Sequence, residues 1–133
     1  MIRGGCLCGR VRYSYDGDID EISLCHCRQC QKAQGTAFAA VSPLDTRRLS
    51  FEGTEHIREY PSSEHKVRAF CSHCGSPLYS ARSDLPNIRR LRVGTIDDQT
   101  SGRNIYHIHT ASKPDWDIIC DNHPQYSGKL TEG

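Results

Sequence analysis

An all-β domain of mainly antiparallel strands in packed sheets is the fold class that the sequence predicts. Three observations predict it. Short stretches of alternating apolar and polar residues recur along the chain, and Gly, Pro, Asp and Ser clusters break them every few residues. The longest helical signal is a single turn. The eight cysteines fall mostly into clusters with ligand spacing rather than at apolar core positions.

The chain of 133 residues has an overall size that fits one domain, residues 1–133, with a core of its own. Its hydrophobic fraction of 36% is lean, and its 11 glycines and 6 prolines suit a loop-rich body rather than a disordered one, because aromatic and apolar residues recur throughout. Formal charge is +1. That balance offers no global footprint for nucleic acid or an anionic membrane. No apolar run approaches the roughly 20 residues needed to cross a bilayer, and the Met1–Gly5 stretch carries no apolar signal region. The expectation is a cytoplasmic protein with no membrane partner.

In chain order, Gly5-Cys6-Leu7-Cys8-Gly9 opens the domain. Residues i and i+2 of an extended segment share a face, so a C-x-C can direct both sulfurs at one ion. Val11, Tyr13 and Tyr15 alternate with polar residues as a half-buried strand, and Asp16-Gly17-Asp18 is a turn. Ile22 to Leu24 reads as a short strand leading into Cys25-His26-Cys27-Arg28-Gln29-Cys30. After it, Gln31 to Gln34 forms one helical turn stopped by Gly35. Thr36 to Ser42 reads as a strand ended by Pro43, and further short strands are expected at Leu49–Phe51, His56–Tyr60 and Lys66–Cys71. Phe70-Cys71-Ser72-His73-Cys74-Gly75-Ser76 is a zinc-knuckle pattern in which Gly75 takes the left-handed turn position. Strands follow at Leu78–Ala81, Asn87–Thr95 and Asn104–Thr110. In the last, Ile105, His107 and His109 share a face opposite Tyr106 and Ile108.

Seven clustered thiols divide most economically as four plus three. Cys6/Cys8 and Cys71/Cys74 each supply half of a closed tetrahedral site, leaving Cys25, Cys27 and Cys30 with one position open. Structural zinc takes four protein ligands, while catalytic zinc usually takes three. A rival partition shares thiols of the central stretch with one two-cysteine element, and it strands a half-site elsewhere. A histidine could also close the three-cysteine set. Disulfides are disfavoured by the clustering and by the reducing compartment.

The remaining candidates have ordinary readings. Cys120 is expected in or near the core as a small hydrophobe. His26 and His73, inside ligand loops, are expected in solvent or hydrogen-bonding behind the ligands. His107 and His109 are candidates to face a substrate pocket, though a strand histidine is more often simply at the surface. Arg89, Arg90 and Arg92 read as a solvated strand face or as an anion site.

With these motifs in place, the sequence resembles the glutathione-dependent formaldehyde-activating enzyme family, also called the centromere-protein-V domain. The resemblance rests on Gly5–Tyr13, on Cys25–Lys32 with Gly35-Thr36-Ala37-Phe38, and on Phe70–Tyr79. Weaker support comes from Gly94-Thr95-Ile96-Asp97 and Lys113-Pro114-Asp115-Trp116. It implies a zinc-stapled, β-sandwich-like fold of the β-tent type. It also implies two Zn²⁺ per chain, a structural zinc on Cys6, Cys8, Cys71 and Cys74 and a catalytic zinc on Cys25, Cys27 and Cys30. The activity implied is that of a carbon–sulfur lyase that joins glutathione, or a related small thiol, to formaldehyde as S-hydroxymethylglutathione. Three thiolates leave a zinc site one net negative charge, which softens its Lewis acidity and makes the second metal labile. Arg28 or the Arg89–Arg92 group would meet the carboxylates of the thiol. The contrasting expectation is a non-catalytic zinc module for a protein or nucleic-acid partner, the latter opposed by the near-zero net charge.

Overall fold

The computed structural model describes residues 1–129. Two sheets carry it. The smaller is antiparallel and places β2 (Arg12–Tyr15) between β1 (Ile2–Gly5) and β5 (Leu49–Glu52). Its register puts Tyr13 opposite Phe51 and Tyr15 opposite Leu49, so the alternation read from the sequence delivers one apolar face. The larger sheet has seven strands. They are β3 (Glu21–Cys25), β4 (Ala39–Asp45), β6 (Ile57–Ser63), β7 (Lys66–Cys71), β8 (Pro77–Arg82), β9 (Ile88–Arg92) and β10 (Asn104–Ile108), in the order β10-β3-β4-β9-β8-β7-β6. Every pair is antiparallel except β10 with β3, which run parallel. The mainly antiparallel all-β expectation holds.

The sheets pack face to face. Ile2, Tyr13, Tyr15 and Ile19 meet Leu44 and Leu91 of the large sheet, and Phe51 stacks between Tyr13 at 5.7 Å and Tyr79 at 5.5 Å. Fully burying each such side chain stabilises the fold by about 1.5–3 kcal/mol. Because side chains alternate along a strand, the other face of the large sheet carries a different set. Ser23 lies opposite Val41 and Val41 opposite Arg92, while Pro43 lies opposite Arg90 and Arg90 opposite Ser80. That outer face forms a cleft.

The helix α1 (Arg28–Gln34) begins three residues earlier than the sequence indicates. Cys27 is its N-cap, with the Sγ accepting the Cys30 N–H, and Gly35 closes it at φ 66°. Two prolines also lie inside strands rather than ending them. The ladder between β3 and β4 stops at Val41, so Pro43 has a strand neighbour only on the β9 side. Pro61 sits in β6, the edge strand, beside a register shift, where a missing N–H costs no ladder bond.

The arginine strand corrects a further expectation. Arg89 lies over the Tyr79 ring at 4.3 Å on the inner face. Arg90 and Arg92 line the cleft, and Arg92 is only 5% exposed. Cys120, expected near the core, is exposed. It belongs to an irregular segment after β10 that has no apolar layer to enter.

Candidate metal centres and their cleft

The four-cysteine group assembles from two tight turns. Cys6 and Cys8 lie between β1 and β2, and Cys71 and Cys74 span the turn between β7 and β8. All four sulfurs lie within 4.8 Å of one another. Zinc–sulfur bonds of about 2.3 Å in a tetrahedron require sulfur–sulfur edges of about 3.8 Å. The Cys6–Cys8 and Cys8–Cys71 separations are 3.6 and 3.8 Å, so this donor set fits such an ion without rearrangement. Gly75, at φ 80°, allows the return in which its N–H donates to the Cys71 carbonyl at 2.8 Å. The Val11 N–H donates to Cys6 Sγ at 3.3 Å. Ser76 Oγ accepts the Leu7 N–H at 2.9 Å and is hydrogen-bonded to Cys74 Sγ at 3.3 Å, tying the two turns together. That contact with Ser76 is the main reason the Cys74 thiol is drawn down to about 5.

Cys25, Cys27 and Cys30 come together differently. Cys25 ends β3, Cys27 caps α1 and Cys30 lies in its first turn, and their sulfurs also lie within 4.8 Å of one another. The geometry and soft donors suit zinc, with three protein ligands among the described residues in place of four. Hydrogen bonds from the Cys25 and Cys27 thiols draw the Cys30 thiol far below its ordinary value, and Arg68 Nη2, 3.8 Å from Cys30 Sγ, adds to the pull. The same sharing of protons pushes Cys25 up.

These three cysteines open onto the cleft on the outer face of the large sheet, a cavity of about 460 Å³. Its walls include Lys66, Arg82, Arg90 and Arg92 from β7, β8 and β9, with Glu21 and Tyr106 on the far side. Tyr106 donates its hydroxyl to Glu21 Oε2 at 2.5 Å, and burial with that bond pushes the phenol up. Burial draws Lys66 down, with Arg68 adding to the effect, and burial likewise brings Arg92 down to about 10.

Behind the ligands lies a buried polar array. His26, fully buried, is hydrogen-bonded through Nε2 to His107 Nδ1 at 2.8 Å, and His107 Nε2 donates to both Asp121 oxygens at 3.0 Å. Burial, then the neighbouring His107, draws the His26 pKa down. Of the two readings for the loop histidines, His26 takes the hydrogen-bonded place behind the ligands, whereas His73 is exposed to solvent. The two candidate strand histidines part company. His107 alternates with the cleft-lining Tyr106 and Ile108 and points away from the cleft, while His109 adopts φ 56°, leaves the strand register and lines the cleft.

Sequence reasoning passed over two residues. Gln31, buried in α1, donates through Nε2 to the His26 carbonyl at 2.7 Å and to the Ser112 carbonyl at 2.9 Å, clamping the ligand loop to the chain after β10. Arg68 reaches Cys30 Sγ through Nη2 at 3.8 Å, and no spacing rule links β7 to the ligand stretch. The strand alternation of Lys66 and Arg68 was the available signal. Arg28 is exposed and bonded to Gln31 rather than facing the cleft.

The model for "Glutathione-dependent formaldehyde-activating enzyme" matches residues 1–112. The chain belongs to that family. Both cysteine groups and the cleft walls named above lie within the matched residues. Over 84 residues the chain is 32% identical to an uncharacterized lyase of Schizosaccharomyces pombe, covering 63% of this chain and 60% of the yeast protein. The chain thus spans less than two thirds of that relative's length. A crystal structure of a Rhodobacter sphaeroides protein superposes with a TM-score of 0.61 at 20% identity, covering 74% of this chain and 90% of the other. That likeness is one of fold. Among the described residues, no helix is long and apolar enough to cross a membrane.

Proposed function

We propose that the chain is one zinc-dependent domain with the activity of a carbon–sulfur lyase, acting on an adduct of glutathione or a related small thiol. S-hydroxymethylglutathione formed with formaldehyde is the leading substrate. Cys6, Cys8, Cys71 and Cys74 hold a structural zinc in this reading, and Cys25, Cys27 and Cys30 hold a catalytic one. A single observation carries the proposal: the four-sulfur group completes itself, while the three-sulfur group faces a 460 Å³ cleft with no fourth protein ligand among the described residues. Reduced, clustered thiols suit a cytoplasmic protein.

A zinc ion held by three cysteines supplies a fourth position that can take a substrate thiol as thiolate or polarise an aldehyde oxygen. The chain's own residues do the rest. Cys25 and Cys30 are nearly buried, so water reaches the centre mainly through the cleft. In the joining direction, the thiolate sulfur forms a bond to the formaldehyde carbon. The carbonyl π pair moves to oxygen, which takes a proton, and the lyase direction reverses each change. Lys66 lines the same cleft, and its burial favours surrender of a proton from Nζ, which makes it the donor to that oxygen. The cationic wall of Arg82 and Arg90 complements the carboxylates of a glutathione-like thiol.

Exchange NMR tests the reading. The zinc-loaded protein should accelerate adduct formation between glutathione and formaldehyde, and Cys27→Ala should remove the acceleration. Unchanged exchange rates with and without protein would refute the activity. Two zinc ions per wild-type chain and one per Cys27→Ala chain are expected by elemental analysis.

A further inference from the structure

Arg92, which is buried, and Arg68, which is half-buried with its Nη1 out of solvent, lack what cations in such places normally have. Among the described residues, neither is paired with a carboxylate. Arg92 is satisfied only by neutral groups, the Gln34 Oε1 at 3.2 Å, the Ser80 hydroxyl at 3.3 Å and the Arg90 carbonyl at 3.1 Å. Arg68 Nη1 is buried with no partner, while Nη2 reaches Cys30 Sγ at 3.8 Å and Gln29 Oε1 at 3.5 Å. Glu21, the carboxylate lining the cleft, is engaged by Tyr106. Holding a charge out of water costs several kcal/mol unless an opposite charge answers it. Here the answering charges are sulfurs.

Three thiolates around a divalent ion carry one net negative charge, which by itself repels an anionic fourth ligand. We infer that Arg68 and Arg92 reverse that sign, so that the open position of the three-cysteine centre selects an anion, a thiolate above all, over neutral ligands. The inference rests on the reading of that centre as an open metal site. Arg68 acts through Cys30 and the local potential and is a positioning residue. Its unpartnered, buried Nη1 leaves the guanidinium charge answered, among the described residues, by no group except the cysteine cluster. The metal is thereby less electron-rich toward thiolates than a bare three-thiolate set would be.

Cobalt(II)-loaded protein provides the test, with azide as the anionic probe and imidazole as the neutral one, each followed by the visible absorption of the metal. In Arg68→Gln the dissociation constant for azide should rise about tenfold or more, the size of one lost charge a few ångströms away at an effective dielectric of about 20 after screening. The constant for imidazole should stay within about twofold, and Arg68→Lys should keep most of the azide affinity. Arg68→Met, which keeps the aliphatic stem, replaces the glutamine variant if that one does not fold. Equal shifts for both probes, or no shift for azide, would overturn charge compensation while leaving the open centre standing. Uptake of only one cobalt per wild-type chain would overturn the open centre and this inference together.

Discussion

Replacing Cys71 and Cys27 by serine in separate chains should have opposite consequences for folding. Cys71 is fully buried and packs with Val11, Ala69 and Leu78, and its sulfur joins the β7–β8 turn to the Cys6–Cys8 turn. Structural zinc contributes about 10–16 kcal/mol of apparent binding energy in small zinc peptides, as much as the whole stability of a typical domain, about 5–15 kcal/mol. Losing one of four ligands at that site should therefore abolish cooperative unfolding at room temperature. Cys27 differs in two ways. It is half-exposed and it caps α1 through the Cys30 N–H, a bond a serine oxygen also accepts. Cys27→Ser consequently keeps the helix cap and removes only the proposed metal ligand. Its melting temperature should stay within a few degrees of wild type, since 1 kcal/mol shifts a domain of this size by roughly 2–8 °C. Thermal unfolding by circular dichroism, paired with zinc analysis of the same samples, reads both effects. A Cys71→Ser chain that keeps two zinc ions and melts like wild type would refute the assignment of the stabilising metal to the four-cysteine site.

Ser76→Ala removes the main cause of the low Cys74 pKa, so metal loading of the four-cysteine site, titrated with cobalt, should need a higher pH than in wild type. His107→Leu leaves the buried His26 Nε2 without a partner and should cost about 1–3 kcal/mol in denaturant unfolding. A change below about 0.5 kcal/mol would show that the array carries no stability. Burial raises the Tyr13 and Tyr79 phenols to about 12, so the folded chain retains protons that the unfolded chain gives up near 10. Their contribution to stability is whole below pH 10 and is lost as pH rises toward 12. Ultraviolet titration should show these tyrosines ionising together with alkaline unfolding.

Local chemistry was legible where it repeats over short spans. Lys66–Cys71 was read to the residue, and the knuckle at Cys71–Gly75 follows from spacing and one left-handed glycine. The division of seven thiols into groups of four and three also came from spacing, and the sulfurs cluster in those same sets. What escaped depends on distant partners. Pro43 and Pro61 resemble strand ends until the neighbouring ladder is known to be absent on one side. Arg92 resembles a solvated charge because alternation gives its face but not whether that face closes over a cleft. For His26 the sequence left solvent and a buried hydrogen bond both open, because its partner, His107, lies 81 residues away. The parallel pairing of β3 with β10 has no local signature at all.

That pairing has a consequence for the order in which the molecule matures. Everything needed to close the four-cysteine site has been synthesised once Cys74 leaves the ribosome, whereas Cys25 then still lies on an unpaired strand margin. Its flank is covered only when Asn104–Ile108 arrives and the His26 N–H finds the Ile108 carbonyl, at 3.0 Å in the finished fold. Pairings this distant along the chain form slowly. The four-cysteine group can thus assemble well before the three-cysteine group is flanked, and a chain stalled between those events would be a held scaffold with an unfinished pocket.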